Sequence, residues 1–319
     1  MGRYLLRRTA FLLASLLLAA SLLFVLLRLL PGDPANALLP MGATPEQIAA
    51  ARRETGSDLP LAQQYAAWLG DLARLDLGTS YISKLPVGEE ISARLAVTVP
   101  LTLLAFALAV VVALPVGFVA AHKADRWYGA LLSGFSQLGI AVPVFWIGML
   151  LVTVFALKLR LLPAGGFPRQ DWAEPGRALT SLALPVVTIA LVMSASLIRY
   201  VRAATLDVLT ADYLRTARAM GESFGGAMWR HGLRNAAVPV ISILGIELAT
   251  TFLGAVVVES VFALPGLGTM LVKGIAEHDY PVIQGVLAVS TLTVLVIGFA
   301  ADVVQRLVDP RLRTRLGRS

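Results

Sequence analysis

The 319-residue chain has no cysteine, three histidines and four lysines, and each shortage closes off a class of chemistry. Without cysteine there is no disulfide, thiol nucleophile or thiolate metal site. His122, His231 and His278 lie far apart in the chain, so nothing suggests a histidine metal cluster. None of Lys84, Lys123, Lys158 and Lys273 is followed by serine or threonine, which excludes the GxxxxGK[ST] phosphate loop, and with it ATP binding of that kind. HExxH and GxSxG are also missing, leaving an intramembrane enzyme without support. Charge itself is scarce: 15% of residues are charged, against about 25% in an average globular domain.

Hydrophobic residues fill the space, at 57% of the chain with a mean hydropathy of +0.76. They come in blocks: Ala10–Leu27, Leu95–Ala121, Trp127–Leu157, Ala178–Ile198, Asn235–Ile246 continuing past Glu247 to Val258, and Tyr280–Ala301. About 20 apolar residues cross the hydrocarbon core as a helix, so the blocks predict an all-α integral membrane protein with six transmembrane helices. The net charge of +7 then reads as cytoplasmic arginine rather than a nucleic-acid footprint. With the N-terminus inside, 16 Lys and Arg fall in the 66 residues of segments 1–9, 122–126, 199–236 and 306–319, and 11 fall in the 108 residues opposite. That asymmetry places both termini in the cytoplasm. Ala10–Leu27 exceeds the roughly 7–15 residues of a signal-peptide core, so it is expected to be retained although Ala35-Asn36-Ala37 resembles a cleavage site. The expected organisation is an N-terminal span over residues 1–30, an external helical segment over 31–94 and a membrane core over 95–319 with a cytoplasmic loop at 202–236.

That loop is the most distinctive stretch. In Asp212–Pro239, DYLRTARAMGESFGGAMWRHGLRNAAVP, Leu206, Leu209, Tyr213, Ala217 and Met220 share one helical face while Arg202, Arg215 and Arg218 lie off it. Asp212 is placed to cap the helix, Gly221 to end it in a left-handed conformation, and Ser223 to cap a second helix through Trp229–Leu233. The pattern predicts a two-helix elbow that packs with one side and offers the other; the plainer reading is a basic loop that only fixes topology. In the external segment, Thr44-Pro45-Glu46-Gln47 predicts a capped helix ended by Gly56, and a second helix follows Pro60 with Leu61, Tyr65, Trp68, Leu69 and Leu72 in helical register. Pro143 and Pro185 are expected to kink their helices.

RTARAMG resembles the EAA loop by which permease subunits of ABC importers dock on their ATPases. Ala217 and Gly221 match its second alanine and its glycine; Arg215 and Thr216 stand where it has glutamate and the first alanine. These departures, RHGLRNAAVP, RLLPGDP, Gln63-Gln64-Tyr65 through Leu77-Gly78-Thr79-Ser80-Tyr81, VVVESVFALPGLG, Asp279-Tyr280-Pro281 and the DPRLR end are similar to the dipeptide, oligopeptide and nickel branch of these permeases. The resemblance covers nearly the whole chain. It implies a type I importer permease fold in the cell inner membrane, in contact with membrane lipid, with Asp212, Tyr213, Arg215, Thr216, Ala217, Arg218 and Gly221 in the ATPase-coupling loop. The implied partners are a second homologous permease subunit, two ABC ATPases carrying ATP and Mg, and an external solute-binding protein. The implied substrate is a short peptide, with nickel or glutathione as alternatives. Glu259, Pro265 and Gly266 fall in the motif after the fifth span and are expected to form an external gate or scaffold.

Glu247 stands alone about 18 Å into its apolar run. A carboxylate there costs about 3 kcal/mol unless it meets a partner or a watery cavity. It either bonds to a neighbouring helix or lines the translocation pathway with Pro143 and attracts a cationic solute group. An ion-coupled carrier working alone would show more intramembrane ionisable groups and an internal repeat, and the elbow is not repeated.

Overall fold

The structure is a computed structural model that describes residues 2–29, 35, 38, 39 and 42–308. The RLLPGDP turn, Ala35-Asn36-Ala37 and the DPRLR end lie wholly or partly outside those residues. Among the described residues the regular structure is helical, apart from one bridge between Thr79 and Pro86. In chain order the helices are α1 (Gly2–Leu29), α2 (Pro45–Glu54), α3 (Leu61–Ala73), α4 (Val87–His122), α5 (Trp127–Ala141), α6 (Val144–Leu151), α7 (Pro175–Leu209), α8 (Asp212–Ala219), α9 (Phe224–Ala227), α10 (Leu233–Val261), α11 (Leu267–Glu277) and α12 (Tyr280–Val308).

Five helices, α1, α4, α7, α10 and α12, are long and apolar enough to cross a membrane. The third apolar block is not one straight span: residues 127–139 and 144–158 are bent by 101°. If that broken pair crosses as one, the spans number six. The expected kink at Pro143 is therefore a break. Val142 before the proline is extended (φ −88°, ψ 126°), as the proline ring demands of its predecessor, and Pro143 becomes the cap of α6. Beyond α6 the chain widens into a π-helical stretch, Val152–Lys158. Pro185, by contrast, is carried inside a continuous α7. Helix α4 starts eight residues before its apolar run, with Glu89 and Glu90 in the first turn where the helix dipole favours acids.

The chain packs as two compact units, residues 99–263 with 296–308 and residues 2–98 with 264–295. In the first, α7 is the central helix, packed chiefly on α10 and α5. Small residues let these helices approach closely, as membrane bundles require. A Cβ on Gly139 would lie 2.6 Å from the Cβ of Ala195, and Ser136 Oγ donates to the Ala195 carbonyl at 2.7 Å. Ala109, Ala113, Met193 and Leu197 form one buried cluster, with Ile243 and Leu244 of α10 packed on it.

In the second unit, the α2 cap forms as the sequence predicts: Thr44 Oγ1 accepts from Gln47 N, and Gln47 Oε1 accepts from Thr44 N at 2.8 Å. Gly56 follows with φ +65°. Helix α3 lays Tyr65 and Trp68 against Phe24 of α1, and Tyr65 shares a 2.6 Å hydrogen bond with Ser21. Leu61, in the same sequence register, is exposed. Thr98 Oγ1 accepts from Leu267 N at 2.9 Å, tying α4 to the start of α11.

Candidate functional site

The elbow between α7 and α10 is held by a compact apolar cluster. Val208 of α7, Leu214 and Ala217 of α8, and Ala227 and Met228 at the end of α9 are buried together, with Phe118 and Ala236 packed on them. The membership corrects the face read from sequence. Of the five residues in that register only Ala217 is buried; Leu206 and Leu209 are half-buried, and Tyr213 and Met220 are exposed, Met220 by 75%. The chain leaves the helix at Thr210 and restarts at Asp212, so the periodicity of α7 does not carry into α8. Asp212 is also not the cap. Ala211 holds that position with extended backbone and no side-chain bond, while Asp212 is the first helical residue and lies 3.9 Å from Arg215, both exposed. Its acid still suits the positive end of the helix dipole.

Gly221 is left-handed, with φ +93° and open space where a Cβ would stand. Ser223 caps the next helix, its Oγ accepting from Gly226 N at 3.2 Å. From there the chain stays helical through Trp229–Leu233 as expected, but not as one α-helix: Phe224–Ala227 is followed by a π turn at Met228–Gly232 that leads directly into α10. The elbow thus ends in the long helix α10 rather than in a free loop.

Four contacts here have no sequence signal, because each joins groups from different turns. Glu222 Oε1 is 3.7 Å from both Arg230 Nη1 and His231 Nε2. Phe224 stacks on His122 at the end of α4, with centroids 4.9 Å apart. The Arg218 guanidinium lies over the Phe224 ring, 6.0 Å from its centroid, and stays exposed. Arg215, Thr216 and Tyr213 complete the exposed face of α8. Arg202 is half-buried in α7, its Nε without a hydrogen-bond partner.

Glu247 of α10 is half-buried and accepts from Ser196 Oγ of α7 at 2.6 Å, so it does bond to a neighbouring helix. It also lines a cavity of about 240 Å³ together with Val144 of α6. Pro143 itself is exposed. Glu259, further along α10, is fully buried. In the second unit, Gly266 is buried at the start of α11 and its N–H meets Thr269 Oγ1 at 3.1 Å, while Pro265 is half-buried.

That unit also holds a hub the sequence does not reveal. Asp279, 2% exposed, accepts from Ser80 Oγ and from the backbone N–H groups of Tyr81 at 3.1 Å and Ile82 at 3.3 Å. Burial pushes the Tyr81 phenol up to about 12, with Arg28 opposing and Asp279 and Glu54 adding to the shift.

Long apolar helices with a packed elbow between two of them are the architecture of a membrane permease. Residues 113–314 match the family of binding-protein-dependent transport system inner membrane components, residues 1–102 match its N-terminal counterpart, and the chain belongs to that family. It is 38% identical over 314 residues to a putative peptide transport system permease protein of Brucella abortus, covering 98% of this chain and 99% of that one. A probable peptide ABC transporter permease protein of Sinorhizobium fredii is 37% identical, covering 98% and 100%. The glutathione transport system permease protein GsiC of Salmonella paratyphi A is 36% identical, covering 98% and 99%. Among solved structures, the inward-facing MetNI methionine ABC transporter aligns with a TM-score of 0.57 at 18% identity, over 69% of this chain and 96% of that one. The fold is that of a type I ABC importer permease, and the chain is an inner-membrane transport component.

Proposed function

We propose that this chain forms half of the pore of an ATP-driven importer of short peptides and takes its power through the elbow. The observation that carries the proposal is the division of labour in α8: Leu214 and Ala217 are fixed in the cluster with Val208 and Met228, while Tyr213, Arg215, Thr216 and Arg218 stand exposed on the opposite side of the anchored helix. A surface so held resists being pushed aside by a partner. Relatives named for peptides and for glutathione, itself a tripeptide, support the substrate class.

In this reading two ATPases bind ATP and Mg, a second homologous permease completes the pore, and an external solute-binding protein delivers the peptide. Both termini and the elbow face the cytoplasm, the helices at 45–73 face outside, and Gly266 and Glu259 are scaffold rather than moving gate, because both are buried. The test is charge reversal on the exposed face, which leaves the buried cluster untouched. Arg215→Glu with Arg218→Glu is expected to reach the membrane at normal levels, lose co-purification of the ATPases and lose ATP-driven peptide uptake. Uptake at the unaltered rate would overturn the reading.

A further inference from the structure

Glu247 is the middle residue of the 29-residue α10. The cavity beside it is walled by Val144 of α6, Ile189, Val192 and Met193 of α7, and Gly254 and Val258 of α10. Four polar side chains open onto it: Ser196, Glu247, Thr250 and Thr251. Two of these are already engaged. Ser196 donates to Glu247 Oε1, and Thr250 donates to the carbonyls of Ile246 and Glu247 at 3.0 and 3.1 Å. What remains for a ligand is the carboxylate and the Thr251 hydroxyl.

Among the described residues no Lys, Arg or His pairs with Glu247. A carboxylate set in apolar walls without a countercharge favours a cation that can replace lost hydration. A bare metal ion finds too few ligands, since among the described residues no three of His, Asp and Glu gather to hold one. A protonated amine fits better: its three N–H donors match the carboxylate and a hydroxyl, and its carbon attachment matches the aliphatic wall. Size narrows the ligand further. About 240 Å³ lies just under the roughly 300–1,000 Å³ of a site for a whole drug-sized molecule, so the cavity takes one end of a chain.

We propose that this cavity holds the protonated amino end of a transported peptide, with Glu247 as its counterion and the α7 side chains around its first residue. The proposal rests on the peptide-importer reading and deepens it. The experiment uses the purified permease–ATPase complex in lipid nanodiscs, without the solute-binding protein, and measures binding of trialanine and of N-acetyltrialanine. Wild type is expected to bind trialanine at least tenfold tighter than its acetylated form. Glu247→Gln keeps the shape and the acceptor for Ser196, and is expected to weaken trialanine at least tenfold while leaving N-acetyltrialanine unchanged. Ser196→Ala removes the neighbour but not the charge and is expected to keep the preference for the free amine. Unchanged trialanine binding in Glu247→Gln, an equal loss for both peptides, or no binding by wild type would each overturn the proposal. ATP-driven trialanine uptake by wild-type complex with its binding protein, run in parallel, shows whether the importer reading falls with it.

Discussion

The elbow at 212–232 and the loop from Thr79 to Pro86 are both short polar stretches beside long apolar helices, yet one packs through apolar side chains and the other through a buried carboxylate. The elbow buries Leu214, Ala217, Ala227 and Met228 and leaves Arg215 and Arg218 outside. The loop closes on a charge from elsewhere in the chain: Ser80 is buried and, with the backbone N–H groups of Tyr81 and Ile82, holds the buried Asp279 carboxylate, while Ile82 and the loop's own Lys84 stay exposed. A segment anchored by apolar packing leaves its charges free to meet another molecule, whereas one closed on a buried carboxylate is tied into its own fold. Substitutions in the two should therefore fail differently, one in coupling and the other in stability.

The largest stability effect is expected at Asp279. Asp279→Ala strands three donors, and at about 1–3 kcal/mol for each buried unsatisfied group the loss is about 3 kcal/mol or more. Limited proteolysis in detergent should show new cleavage near 79–83, with the elbow still protected. An elbow that frays equally would break the comparison. On the other side, Ala217→Asp forces a charge into the elbow cluster and is expected to abolish peptide uptake and stimulated ATP hydrolysis while the subunit still reaches the membrane; normal coupling would make the elbow only a topological anchor.

Gly221→Ala is milder. No atom lies in the way of the new Cβ, so the cost is that of holding φ +93°, about 1–2 kcal/mol. Uptake should fall several-fold without loss of expression, and an unchanged rate would mean that the turn does not set the position of α8. The Tyr81 phenol gives the smallest effect. Its value near 12 lies above the 10.0 of a free tyrosine, so the folded state keeps the proton longer and the stability it provides is lost as pH rises from about 10 through about 12. Tyr81→Phe should flatten thermal stability over that window and leave it unchanged at pH 7, measured by thermal unfolding of the purified complex.

The same comparison explains what the sequence could reveal. The capping box at Thr44, the left-handed Gly221 and the Ser223 cap are local, each set within four residues, and all were readable. The face of α8 is not legible from α7, because the helix stops at Thr210 and the register does not cross it. The break at Pro143 has a local signal, the extended residue that precedes a proline, and that signal turns the expected kink into a break. Asp279 and Ser80 are 199 positions apart, and Glu247 and Ser196 are 51 apart. No periodicity joins such pairs; only packing does. Glu247 was conspicuous as a lone acid, but its Ser196 partner and its cavity belong to the folded bundle.

The absence of native cysteine makes the central claim directly measurable, because any thiol introduced is the only one on this chain. Arg215→Cys and, as the counterpart on the other region, Ile82→Cys would each be joined to a photoactivatable cross-linker in membranes containing the whole complex. The account predicts that Arg215→Cys captures the ATPase, with a yield that changes on adding ATP, and that Ile82→Cys does not. Capture of the ATPase from Ile82→Cys, or none from Arg215→Cys in a complex that still transports, would contradict it.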